Sequence, residues 1–173
     1  TEADLVWNKA CIDIVWKDPV YIDENTNELR YVTAGVGNNY SDEEKAVFDK
    51  YVSIDCVELF FVEGFSPKHA RGDGLSLNGG HRNARMIVAD EPILDCNPPP
   101  VQIAAHELGH AMGLSGPNCH TKGKNCMAPT GKRPPECPGV NQNSTVRLSQ
   151  VRQLTNPLIT DKTPKEQCCL QVE

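Results

Sequence analysis

No stretch of the 173-residue sequence is apolar for the roughly 18 residues that a helix needs to cross a bilayer, so no membrane-spanning helix is expected. Nor does any segment concentrate Lys and Arg. The 17 basic residues are outnumbered by 23 acidic ones, the formal charge is −6, and acidic runs such as Asp23-Glu24 and Asp42-Glu43-Glu44 point away from nucleic acid as a partner. Paired CxxC motifs are also missing, so the eight cysteines do not read as metal clusters. Their even number predicts up to four disulfides in an oxidising compartment, which places the chain outside the cell. There is no internal repeat, no low-complexity linker and no EF-hand loop, so calcium at Asp73, Asp90 and Glu91 is possible without a motif to support it. The chain does not open on a basic segment followed by an apolar one, which leads to the expectation of a mature form that has lost any signal peptide or pro-segment.

What is present suits a globular domain. A chain of this length can bury a real hydrophobic core, and one domain over 1–173, acting as a monomer, is the expectation. Two sequons, Asn39-Tyr40-Ser41 and Asn143-Ser144-Thr145, permit N-glycosylation. Leu5 to Ala10 reads as the end of a helix, and Cys11 to Trp16 alternates like a half-buried strand. Asp18 to Gly37 holds turn formers and two short strand-like pieces. Ser41-Asp42-Glu43-Glu44 has the form of a capping box and opens a helical stretch with Ala46, Val47 and Tyr51 on its apolar side. Val57 to Val62 is a short apolar run, expected to be a central strand buried on both faces. Gly64 to Gly80 reads as irregular, Ala84 to Ala89 as a further strand, and Leu148 to Leu158 as a last amphipathic helix.

From Val101 to Gly113 the pattern is helical, with Pro100 suited to the first turn and Gly113 to the position just past the end. This helix contains His106-Glu107-Leu108-Gly109-His110, an HExxH motif. Two histidines four apart lie on one helix face about one turn apart, where both imidazoles can meet a single zinc ion. Glu107 is turned about 100° from the first ligand, beside the metal, where it can take a proton from water. Such a pentapeptide also arises by chance on solvated helices, but here its flanks are apolar and a glycine follows at the right distance. His69 and His81, each alone in a Gly-rich loop, read as surface residues. Arg71-Gly72-Asp73 is the tripeptide that integrins recognise, which keeps open a non-catalytic, adhesive protein on a protease scaffold.

The run His106 to Gly113 resembles the first eight positions of the metzincin pattern HExxHxxGxxH, and Asn125-Cys126-Met127-Ala128-Pro129 resembles that family's Met-turn. The resemblance implies a secreted zinc endopeptidase, made as a zymogen, acting on protein or peptide substrates with Glu107 as general base and acid. It implies an α/β (α+β) fold: a twisted mixed sheet with the active-site helix in an upper subdomain to about residue 113, then an irregular, disulfide-rich lower subdomain over about 114–173. The strand from Arg85 to Ala89 would form the upper rim of the cleft, holding an extended peptide by backbone hydrogen bonds. Gly113 and Met127 would support the site without binding metal. The chain departs from the pattern at the third ligand, which would fall at Gly116. An insertion displacing it makes His120 the expected third ligand beside His106 and His110, with Asn118, Cys119 or a water as alternatives. Cys126 offers Cys119 a disulfide partner that would close the loop around His120.

Overall fold

The computed structural model describes residues 7–8, 12–19, 31–36, 39–50, 52–67, 74–89, 101–114 and 154–159. Within them the chain is a mixed α and β protein with two helices and two sheets. Strand β1 (Tyr31–Thr33) pairs in parallel with β3 (Gly64–Ser66). The larger sheet is formed by β2 (Glu58–Val62), β4 (Gly74–Leu77) and β5 (Arg85–Ala89) in the order β2-β5-β4, with β2 parallel and β4 antiparallel to β5. Helix α1 is Asp42–Lys50 and helix α2 is Val101–Ala111.

Helix α1 begins where its sequence says it should. The Glu44 amide donates to Ser41 Oγ at 2.9 Å and the Ser41 amide donates to Glu44 Oε2 at 2.8 Å, a reciprocal capping box. Asp42, Glu43 and Glu44 lie at the positive end of the helix dipole and Lys50 at the negative end. Its buried side is Glu44, Val47 and Phe48. Ala46, expected on that side, is exposed, and Tyr51 lies outside the described residues.

Among the described strands the central one is β5, not β2. Every residue of β5 is buried, while Phe61 of β2 is 62% exposed. An apolar run does not reveal which strand has neighbours on both sides, because that depends on partners distant in sequence. The two-residue period of β5 sorts its side chains between two clusters. Ile87 and Ala89 pack with Val47 and Phe48 of α1 and with Phe60 and Val62 of β2. Met86 packs with Ala105 and Leu108 of α2, and Val88 with Ile103 and Ala104 of the same helix. Burial of side chains such as Phe48, Ile87 and Met86 stabilises the layers by about 1.5–3 kcal/mol each. Arg85 joins the sheet to α1: its Nη1 donates to the Phe48 carbonyl, and its guanidinium lies 5.9 Å from the centre of the Phe48 ring.

Three other segments differ from the sequence reading. Residues 12–19 are in no strand, although Ile12 is buried and Val15 85% exposed as alternation predicts. Ile12 and Ile14 pack into the core beside fully buried Trp7, whose indole Nε1 donates to Ala105 O of α2 at 3.0 Å. Trp7 and Asn8 are helical, as expected. The Gly-rich segment from Gly64 to Gly80, expected to be irregular, contributes β3 and β4. Residues 154–159 form an irregular stretch and a turn instead of the end of a helix, because Pro157 disfavours the helical region for Asn156. Cys56 is half-buried with a free thiol and stands outside the expected disulfide set. No described helix is long and apolar enough to cross a membrane.

Candidate metal centre

Helix α2 runs through the core. From Ile103 to Gly109 every side-chain position is buried, and His106 and Glu107 are each only 7% exposed. Histidine and glutamate in the middle of a buried helix are costly to desolvate, so their surroundings show what they do.

The C-terminal end of α2 fixes the second histidine. Gly113, at φ +114°, takes the left-handed position for which the sequence marked it. The Leu114 amide donates to Gly109 O at 3.0 Å and the Gly113 amide to His110 O at 2.9 Å, which is a Schellman motif. The reversal returns the Leu114 carbonyl over the helix end, where it accepts from His110 Nδ1 at 2.7 Å. With the proton on Nδ1, the neutral ring presents the lone pair of Nε2 on its other side. That Nε2 lies 3.2 Å from Nε2 of His106, with the two ring centroids 4.8 Å apart and the planes at 79°.

Two nitrogen donors on one tetrahedral zinc ion, each at about 2.0–2.1 Å, stand about 3.3–3.4 Å apart, so the spacing of the two Nε2 atoms fits a shared ion. The backbone carbonyl on Nδ1 of His110 is the kind of outer partner that orients a metal-binding imidazole. Among the described residues no group of three or more His, Cys, Asp or Glu side chains assembles. His120, Met127, Asn118 and Cys119 lie outside the described residues, as do His69 and the tripeptide at 71–73. His81 is exposed, as expected of a surface residue.

Glu107 packs against β4. Gly74 makes room for it: a Cβ there would stand 2.7 Å from both Cγ and Oε1 of Glu107 and 2.6 Å from Cγ2 of Ile103. Burial pushes the Glu107 carboxyl up to about 8, against a hydrogen bond from Ser76 that lowers it. A cation held by the adjacent imidazoles would pull the same group back toward the carboxylate form. The strand beside this carboxyl is thus β4, at the edge of the described sheet. β5, expected at the rim, lies between β2 and β4 with both of its edges paired, so it has no free edge to offer a peptide.

The remaining support comes from residues that no local pattern marked. The Gly80 amide donates to Ala111 O at 2.9 Å, and the Thr155 and Asn156 amides donate to Met112 O at 3.0 and 3.1 Å. The fully buried Asn156 donates through Nδ2 to His81 O at 2.8 Å and to Ala111 O at 3.0 Å, and accepts from the Leu158 amide at 3.0 Å. The terminal carbonyls of α2 are therefore all satisfied, which holds the turn carrying Leu114 in place.

Family models, curated proteins and solved structures each give no match to this chain.

Proposed function

We propose that the chain is a secreted zinc-dependent endopeptidase in which His106 and His110 hold the metal, His120 completes the ligand set and Glu107 transfers protons. The observation that carries this reading is the pair of Nε2 atoms 3.2 Å apart, one of them oriented by the Leu114 carbonyl, with a buried carboxyl one residue away in sequence. Zinc bound there would supply Lewis acidity, acidifying water and polarising a carbonyl.

The protein's own part follows from these positions. His106 and His110 bind as neutral imidazoles, His110 with its proton kept on Nδ1 by Leu114 O. Glu107, as carboxylate, takes a proton from the water that attacks the peptide carbonyl carbon. It then returns a proton to the amine as the C–N bond breaks, so it ends the cycle in the form in which it began. The buried setting of α2 excludes other water from the carboxyl. Protein or peptide is the proposed substrate by resemblance to metzincins, since an HExxH helix specifies the metal and the base but not what is cleaved. Export from the cell is supported by the cysteine content alone.

Cleavage of a denatured protein by the zinc-loaded chain tests this reading, with Glu107→Gln as control. Wild type should cleave, while the variant keeps its zinc and loses at least about a hundredfold in rate. Equal cleavage by the two removes Glu107 from the chemistry. An adhesive scaffold would not need a buried carboxyl next in sequence to a paired imidazole, and that burial favours the enzyme over the binding protein.

A further inference from the structure

Ser76, the third residue of β4, receives contacts from both sides of the molecule's middle layer. Its hydroxyl hydrogen-bonds the Glu107 carboxyl. Its carbonyl accepts from the Tyr40 hydroxyl at 2.9 Å. Tyr40 in turn stands edge-on to the ring of Phe48 in α1, centroids 5.8 Å apart and planes at 87°, and Phe48 is fully buried. Two residues before Ser76, on the same face of the strand, Gly74 leaves space that Cγ and Oε1 of Glu107 fill. The carboxyl is thereby confined along β4 by an absent side chain at one position and a hydroxyl at the next.

We infer that Ser76 is the positioning residue for Glu107, and that Tyr40, by fixing the Ser76 backbone, ties that role to α1. This rests on the reading of Glu107 as the proton-transferring group. The chemistry suits a hydroxyl in particular. During the reaction Glu107 alternates between carboxylate, which only accepts hydrogen bonds, and acid, which can also donate one. A serine hydroxyl can donate to the first and accept from the second, so a single contact holds the side chain in both states. A backbone N–H, which only donates, could not accept from the acid form. With one oxygen held by Ser76, the other is left for the water and the departing amine.

Two measurements test the inference. In the zinc-loaded protein, Ser76→Ala should lower kcat about tenfold with KM and zinc content unchanged, because placement of the reacting group is lost while binding is not. Ser76→Thr, which keeps the hydroxyl, should restore most of the rate, and Tyr40→Phe should lose a few-fold in kcat. In the zinc-stripped protein, a double-mutant cycle of Ser76→Ala with Glu107→Ala should show coupling of at least about threefold in the unfolding constant. If wild type cleaves but Ser76→Ala cleaves equally well, or if the cycle shows no coupling, the Ser76 assignment is overturned while the peptidase reading stands. Wild-type rates for Tyr40→Phe overturn the part given to Tyr40. A wild type that cleaves nothing overturns the peptidase reading, and the positioning role falls with it even where coupling persists.

Discussion

In chelator, with no metal bound, the protein should be stabilised by Glu107→Gln at neutral pH and unaffected by it in acid. Burial holds the Glu107 carboxyl at about 8 against its ordinary 4.5, so the folded chain keeps a proton there that the unfolded chain releases. Between those two values the folded state binds more protons, and stability falls as the pH rises. Below pH 4.5 both states are protonated and the penalty vanishes. Above about pH 8 both are ionised and it levels off. At about 1.4 kcal/mol per pH unit the full penalty is about 5 kcal/mol, and about 3 kcal/mol is already present at pH 7. Glutamine has nearly the same shape and no charge to desolvate, so the variant lacks this penalty. For a domain of this size the pH 7 difference corresponds to a Tm higher by about 6–12 °C, read by calorimetry or circular dichroism in chelator from pH 4 to 8.5. Wild type and Glu107→Gln melting in parallel across that range would refute the argument. Zinc should narrow the difference, because a cation beside the carboxyl favours its charged form.

Asn156→Ala should destabilise the fold by about 1–3 kcal/mol in denaturant melts, since it strips the partner from the Leu158 amide, whereas Ala111 O keeps the Gly80 amide and His81 O keeps the Ala84 amide. An unchanged midpoint would show that this network carries no stability. Gly113→Ala should cost both stability and zinc affinity, because its Cβ would meet Thr155 Oγ1 at 2.3 Å and the left-handed turn also places the Leu114 carbonyl on His110. Affinity equal to wild type in a competition titration would separate that turn from the metal site. His120→Ala should weaken zinc binding and abolish cleavage, and retention of both would pass the third-ligand role to Asn118, Cys119 or water.

The parts legible in the sequence are those set by neighbours along the chain. The capping box at Ser41 and Glu44, the left-handed Gly113 and the placement of His106 and His110 one turn apart each follow from spacings of a few residues. Sheet order was not legible, because β2 and β5 are both short apolar runs and only their partners decide which is central. β3 and β4 are too short to establish a two-residue period against a background of glycines. The alternation at Ile12, Ile14 and Val15 reported burial correctly, but the partner was the core around Trp7 and α2 instead of a ladder. Ser76, Tyr40 and Asn156 escaped for a related reason. Tyr40 reaches Ser76 across 36 positions and Asn156 reaches Ala111 across 45, and no residue type at such separations announces its partner. Gly74 alone left a trace, as a glycine whose absent side chain Glu107 occupies.

The central claim is that the two imidazoles on α2 hold zinc, and the direct measurement is zinc bound per chain in wild type, His106→Ala and His110→Ala after dialysis against a weak chelator. The account predicts one zinc in wild type and a loss of at least about tenfold in affinity in each variant, with circular dichroism showing that both remain folded. Wild type that binds no zinc, or folded variants that bind it as tightly as wild type, would contradict it.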